Sequence, residues 1–296
     1  MRARGGGTGR AVGAATLLGA AVALAGCVPD LEQSLSLIDT PRVLAIQAEP
    51  AEALPGEPVH YRVLVAAPPG AAADEPSWAL CTRPLAAGQR AAAVTACLAD
   101  TLALGHGASV DAVLPREVCS RYGPDVSSSS LRPPDPDATG GYYQPLRVDL
   151  GDSLVLGFQR IRCNLAGAPL PAIRDHAARY RPNQNPSFSV DAPAVVSAAQ
   201  TVRLVATWPA TAAESYLALP PGGSALVDRR EALRVSWFSS AGALADEHTG
   251  RAESDLATST ETTWQAPSAP GPVRLWVVLR DSRGGVAFIT HDLVVR

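Results

Sequence analysis

The residues best suited to chemistry in this chain are its cysteines: Cys27, Cys81, Cys97, Cys119 and Cys163. The last four form an even set, and in an oxidising compartment such a set closes two disulfides by one of three pairings. Near neighbours close small loops first, so the expected pairs are Cys81 with Cys97 and Cys119 with Cys163. On the loop-entropy model they contribute about 3 and about 4 kcal/mol. Zinc is the sharper alternative, but no C-x-x-C pair occurs among them. The histidines His60, His106, His176, His248 and His291 stand singly, without an H-E-x-x-H pair, as surface or hydrogen-bonded residues do. Gly105-His106-Gly107-Ala108-Ser109 has the glycines of a nucleophile elbow with its Ser placed too late, and reads as a flexible turn. Asp246-Glu247-His248 would point three adjacent side chains in different directions along an extended loop. The segment from Asp135 to Gly140 opens like a calcium loop, with Asp135, Asp137 and Thr139 as oxygen donors. Leu146 stands where the twelfth-position Glu is required, so an exposed turn is the preferred reading. No catalytic residue is nominated, no metal ligand beyond that weak loop, and no cofactor.

Positioning these residues falls to short strands. Arg42 to Ala48 begins one, Pro55-Gly56-Glu57 turns, and in the next Val59, Tyr61, Val63 and Val65 share a face. Pro76 to Cys81 is a third, with Trp78 inside it. Between about 83 and 141 the rhythm breaks into an irregular, cysteine-containing insertion. Within it Gln89 to Leu104 is Ala-rich enough for one helix, and Tyr122 to Gly141 reads as loop. Strand pattern resumes at Tyr142 to Leu150 and Ser153 to Cys163, while Ile173 to Arg181 fits either a helical turn or an edge strand. Asn183-Gln184-Asn185-Pro186 marks a domain boundary. Beyond it strands are expected at Thr201 to Trp208, Ala232 to Phe238, Glu261 to Trp264, Val273 to Arg280 and Val286 to Val295. Trp237 shares a face with Leu233 and Val235 and is expected to be buried; Trp276 falls opposite Leu275 and Val277 and is expected to be partly exposed. The fold class is mainly β: two tandem immunoglobulin-like sandwiches, at 41–182 and 183–296.

Composition narrows function by exclusion. The chain has 296 residues, 25 basic and 28 acidic, every basic residue being Arg, for a formal charge of −3. Such balance, with no basic run or interleaved aromatics, argues against nucleic-acid binding. An apolar share of 47% with 18% charged residues is that of a folded chain.

The first 26 residues read as a secretory signal, with Arg2, Arg4 and Arg10 ahead of a charge-free apolar stretch from Ala11 to Ala25. Leu24-Ala25-Gly26-Cys27 resembles the lipobox of bacterial lipoproteins. That resemblance implies cleavage before Cys27, acylation of its sulfur, and a short tether from 27 to 40. Val28, rather than Asp, after the acylated Cys implies outer-membrane delivery within the cell envelope. No later segment offers about 18 consecutive apolar residues, so the lipid is the evident membrane partner.

Val235-Ser236-Trp237-Phe238, Trp264-Gln265-Ala266-Pro267 and the Leu279-Arg280-Asp281 hairpin with Gly284 and Gly285 resemble the immunoglobulin-like and PKD-like modules of bacterial surface proteins. Together with Arg42-Val43-Leu44-Ala45, the layout resembles uncharacterised envelope lipoproteins of GC-rich bacteria. Such modules imply a non-catalytic structural or binding role toward an envelope protein or glycan. The alternative is an envelope hydrolase with its site in the 83–141 insertion; the chain is expected not to be an enzyme.

Overall fold

Period-two alternation and β-branched residues build two sets of sheets in chain order. The computed structural model describes residues 35–82, 97, 100–121, 140–163, 165, 168–220 and 223–296. The first set comprises β1 (Arg42–Glu49), β2 (Glu52–Ala53), β3 (Pro58–Ala66), β4 (Ser77–Cys81), β5 (Thr101–His106), β6 (Ser109–Val113), β7 (Gly141–Leu150) and β8 (Ser153–Arg162). A three-stranded sheet, β1-β3-β6, packs on a five-stranded one, β2-β8-β7-β4-β5. Val59, Tyr61 and Val63 of β3 face Trp78, Leu80 and Leu146 across this interior, as the alternation predicts. Trp78 keeps its indole N–H satisfied by donating to the Gly107 carbonyl at 2.8 Å.

Both disulfides are formed, Cys81–Cys97 with Cα atoms 4.9 Å apart and Cys119–Cys163 at 5.6 Å. The described part of the 83–141 stretch is less irregular than its sequence suggests, because β5 pairs with β4 and β6 with β3, so these two consecutive strands feed both sheets. The turn between them is made by Gly105 and Gly107, whose positive φ values of 133° and 115° only glycine adopts without strain. The end of the Ala-rich run is therefore strand: edge pairing, with Leu102 opposite Leu80, outweighs its helix propensity. Residues 83–96 and the calcium-loop candidates Asp135, Asp137 and Thr139 lie outside the described residues.

The described residues of this set include two helices, α1 (Val118–Arg121) and α2 (Leu170–Arg179). The undecided stretch from Ile173 is thus helical. A Pro in the first turn starts α2, an Asp175–Arg179 pair at 2.8 Å supports it, and extended backbone at Tyr180 ends it just ahead of Pro182.

The second set comprises β9 (Ser189–Asp191), β10 (Val195–Val196), β11 (Thr201–Thr207), β12 (Ser215–Ala218), β13 (Val227–Arg230), β14 (Leu233–Ser239), β15 (Ala243–Leu244), β16 (His248–Arg251), β17 (Ser259–Gln265), β18 (Gly271–Asp281) and β19 (Val286–Val295). Sheet β10-β19-β18-β14-β16 packs on sheet β15-β17-β11-β9, with β12 and β13 forming a separate ribbon. Trp237 and Trp264 fill the space between them. Trp237 is 1% exposed, as its register predicts, and donates to Thr249 Oγ1 at 2.9 Å.

The molecule is therefore mainly β and sandwich-like, and its two sandwiches stack. The outer face of β1-β3 lies on the outer face of β14-β18-β19, enclosing Ile38, Ala45, Leu64, Ala66, Trp276 and Val278. This corrects the expectation for Trp276, which is 2% exposed. Alternation does put it opposite Leu275 and Val277, but that second face is covered by the other sandwich. The uninterrupted run from Leu275 to Leu279 is what a strand buried on both sides requires, and Val63 to Ala66 in β3 has the same character.

The segment read as the end of a tether is docked from residue 36 to 38. Ile38 is fully buried and donates its N–H to the Ser239 carbonyl at 2.8 Å, while Ser239 N–H donates to the Ser36 carbonyl at 2.9 Å. Ser36 Oγ donates to Glu247 at 2.9 Å. An apolar side chain with a place in the inter-sandwich layer offsets the entropy of ordering this short stretch.

Candidate functional site

The most concentrated ionisable chemistry lies where the sandwiches meet α2. Glu52 on β2 stands in register with Arg160 on β8, and the two pair at 3.3 Å with both side chains wholly buried. Glu52 also accepts from Tyr180 Oη at 2.8 Å and from the Asn183 N–H at 2.8 Å. From the second sandwich comes Arg283, in the turn between β18 and β19. Its Nε donates to Glu231 at 2.6 Å, Nη2 to Glu214 at 2.9 Å, and Nη1 to Tyr180 Oη at 3.3 Å and the Arg181 carbonyl at 3.2 Å. Asp281 is held by the N–H groups of Arg283 and Gly285, each at 2.8 Å, and by Asn183 Nδ2 at 3.3 Å. Arg160 can occupy its place only because residue 141 is glycine: a Cβ there would come within 2.3 Å of the guanidinium.

Burial, together with more carboxyl groups than guanidinium groups, sets the electrostatics. Desolvation, followed by the charge of Asp281, pushes Glu231 up to about 7 despite the Arg283 bonds. Desolvation likewise raises Asp281 against its N–H donors, raises Glu214, and lifts Tyr180 to about 12. At Arg283 burial opposes the charge, yet Glu231, Tyr180 and Glu52 outweigh it and hold the guanidinium above its usual range. Each carboxylate is spent on a neighbour, so chemically the cluster is a lock: it fixes the orientation of one sandwich on the other.

Beside the lock, on the first sandwich, opens a cleft of about 560 Å³. Arg116, Arg162, His176 and Tyr180 are its polar walls, and Leu54, Pro55 and Leu165 belong to its apolar part. His176 stacks on Tyr180 with ring centroids 4.4 Å apart. The Cys119–Cys163 disulfide lines the same cleft and ties α1 to the end of β8. Ser120, the hydroxyl that the 83–141 stretch contributes here, donates to the Glu117 carbonyl at 3.1 Å.

No family model matches the chain, and no curated protein matches it. Among solved structures it is similar to a nucleoside hydrolase-related hypothetical protein from Saccharophagus degradans, at 19% identity over 42% of this chain and 29% of that one, TM-score 0.23. It is also similar to native Escherichia coli alpha-2-macroglobulin, at 10% identity over 87% of this chain and 17% of that one, TM-score 0.27. The Yersinia pseudotuberculosis adhesin InvE gives 10% identity over 85% and 58%, TM-score 0.23. The chain spans less than a third of the first two, and superpositions at these scores carry no argument about activity.

The residues singled out from the sequence mostly stand apart. Cys27 lies outside the described residues. His60 pairs with Asp111 at 2.8 Å on the exposed side of β3 and β6, His248 meets Ser236 Oγ at 3.2 Å, and His291 meets the Pro193 carbonyl at 3.2 Å. Among the described residues no three His, Cys, Asp or Glu side chains are arranged to hold a metal. His176 alone of the histidines reaches the cleft. Sequence reasoning missed Glu52, Arg160 and Arg283 altogether, since each stands beside a turn or a strand end and reads as a solvated charge. The Asn183-Gln184-Asn185 boundary also proves to be a fastening. Asn185 donates to the Ala48 carbonyl at 2.7 Å and accepts from Val286 N–H at 2.9 Å, joining both sandwiches.

Proposed function

We propose that this chain is a non-catalytic, lipid-anchored protein of the bacterial cell envelope, probing its surroundings with a rigid pair of immunoglobulin-like sandwiches that meet a protein or glycan partner. The observation that carries this reading is Cys27, set behind three leader arginines, a charge-free apolar stretch and Leu24-Ala25-Gly26. Two disulfides fit export to an oxidising compartment. The buried lock adds support of another kind, because it spends ionisable groups on holding two modules in one orientation, as a presenting scaffold requires. Delivery to the outer membrane follows from Val28 after the acylated cysteine.

Replacing the acceptor tests the reading. Wild type should partition into detergent and begin, by mass spectrometry, at an acylated Cys27; Cys27→Ser should become aqueous while unfolding at the wild-type midpoint. A wild-type chain that stays aqueous and carries no acyl group would overturn it.

A further inference from the structure

The cleft beside α2 carries an unusual balance of charge for this chain. Acidic residues outnumber basic ones overall, yet among the described residues no Asp or Glu lines the cleft, and two arginines do. Several surface arginines elsewhere meet carboxylates: Arg147 with Asp149 at 2.9 Å, Arg251 with Asp255 at 3.1 Å, Arg274 with Asp292 at 2.5 Å. The side chains of Arg116 and Arg162, by contrast, take part in no ion pair or hydrogen bond among the described residues. Two unneutralised guanidinium groups bordering one concavity make a positive site, and concave walls of low dielectric strengthen its field. The planar guanidinium fork matches the oxygens of a carboxylate or phosphate in paired hydrogen bonds.

The surroundings say what the rest of a ligand should be. Leu54, Pro55 and Leu165 give the cleft an apolar side, and its volume of about 560 Å³ falls in the range of small-molecule sites. The two cationic residues are also held in place beforehand. Arg162 directly precedes Cys163 and Arg116 lies three residues ahead of Cys119, so the Cys119–Cys163 bond fixes the segments that carry them.

We infer that this cleft binds a small organic anion, its carboxylate or phosphate head held by Arg116 and Arg162 and its apolar body against Leu54, Pro55 and Leu165. The site is independent of how the chain is anchored, and its test does not use the lipid.

The experiment is calorimetric titration of the detergent-solubilised full chain with benzoate, phenyl phosphate and, as the uncharged counterpart, benzyl alcohol. One or both anions should bind saturably at one site while benzyl alcohol does not. Tighter binding of phenyl phosphate assigns a phosphate head, tighter binding of benzoate a carboxylate. Arg116→Gln and Arg162→Gln should each weaken binding roughly tenfold, whereas Arg203→Gln, a surface change far along the chain, should leave it unchanged. Arg116 is exposed, so its variant keeps the test intact even if Arg162→Gln folds poorly. The inference is overturned if neither anion binds, if benzyl alcohol binds as well as they do, or if Arg116→Gln binds like wild type.

Discussion

Two of the contacts that join the sandwiches are made of opposite materials. One is a mainly apolar layer in which Trp276, Val278 and Val286 meet Ala45, Leu64 and Ala66, with Gln47 donating to the Val286 carbonyl and Arg280 to the Leu44 carbonyl at its margin. The other is the ionic lock of Glu52, Arg160, Tyr180, Glu231 and Arg283. Apolar burial is non-directional: it favours contact between the sandwiches but would tolerate sliding of one sheet on the other. The lock adds little net free energy, since desolvation offsets most of its Coulombic gain, but its bonds can all be made in one orientation only. Attraction and orientation are thus supplied largely by different residues.

Removing a charge should separate these roles most sharply. Arg283→Met leaves Glu231, Glu214 and Tyr180 without their shared donor, and the expected loss is about 3 to 5 kcal/mol. Urea unfolding measures it, and adding Glu231→Leu should recover part of the loss, because the abandoned buried carboxyl then disappears. If Arg283→Met unfolds at the wild-type midpoint, the buried carboxyls do not depend on Arg283 as argued.

On the apolar side, Trp276→Ala should cost about 3 kcal/mol, the low end for a buried Trp, since the opposing side chains include small alanines. The same change should broaden unfolding into two transitions as the sandwiches uncouple. A single sharp transition with a small loss would mean that the layer contributes little to their coupling.

The smallest effect is a pH slope. An unfolded Glu releases its proton near 4.5, whereas folded Glu231, desolvated and beside Asp281, is pushed up to about 7. Between those values the folded state binds more protons, so stability contributed below 4.5 is lost as pH rises toward 7. Glu231→Gln should flatten that slope in melting temperatures measured from pH 4.5 to 7. A mutant slope equal to wild type would assign the titration to another group.

What the sequence made legible was local. Alternation in β3 and β14 placed Tyr61 and Trp237 correctly, and the spacing of the cysteines gave their pairing. It failed wherever a second layer decided the environment. Trp276 looked outward because alternation within one strand says nothing of a second sandwich on its far face; only the unbroken apolar run hinted at it. The lock was invisible because its members come from β2, β8, the residue that ends α2, the link between β13 and β14, and the turn after β18, and no spacing links Glu52 to Arg283. The cleft was hidden for the same reason, as Arg116 and Arg162 converge only through the fold and the Cys119–Cys163 bond.

The docking of residues 36 to 38 has a mechanical consequence. These residues pair in parallel with β14, a strand of the second sandwich, before the chain enters the first. Tension applied to the chain ahead of Leu35 therefore reaches both sandwiches through the docked segment, the second through the Ile38–Ser239 and Ser239–Ser36 bonds and the first through the bonds from Arg42 to the Leu35 and Leu37 carbonyls. The load is thus shared between the two sandwiches at the docked segment. The backbone of β1 takes the full pull only after the docked segment has peeled away, so the segment acts as a strain relief at the point where the cable meets the body.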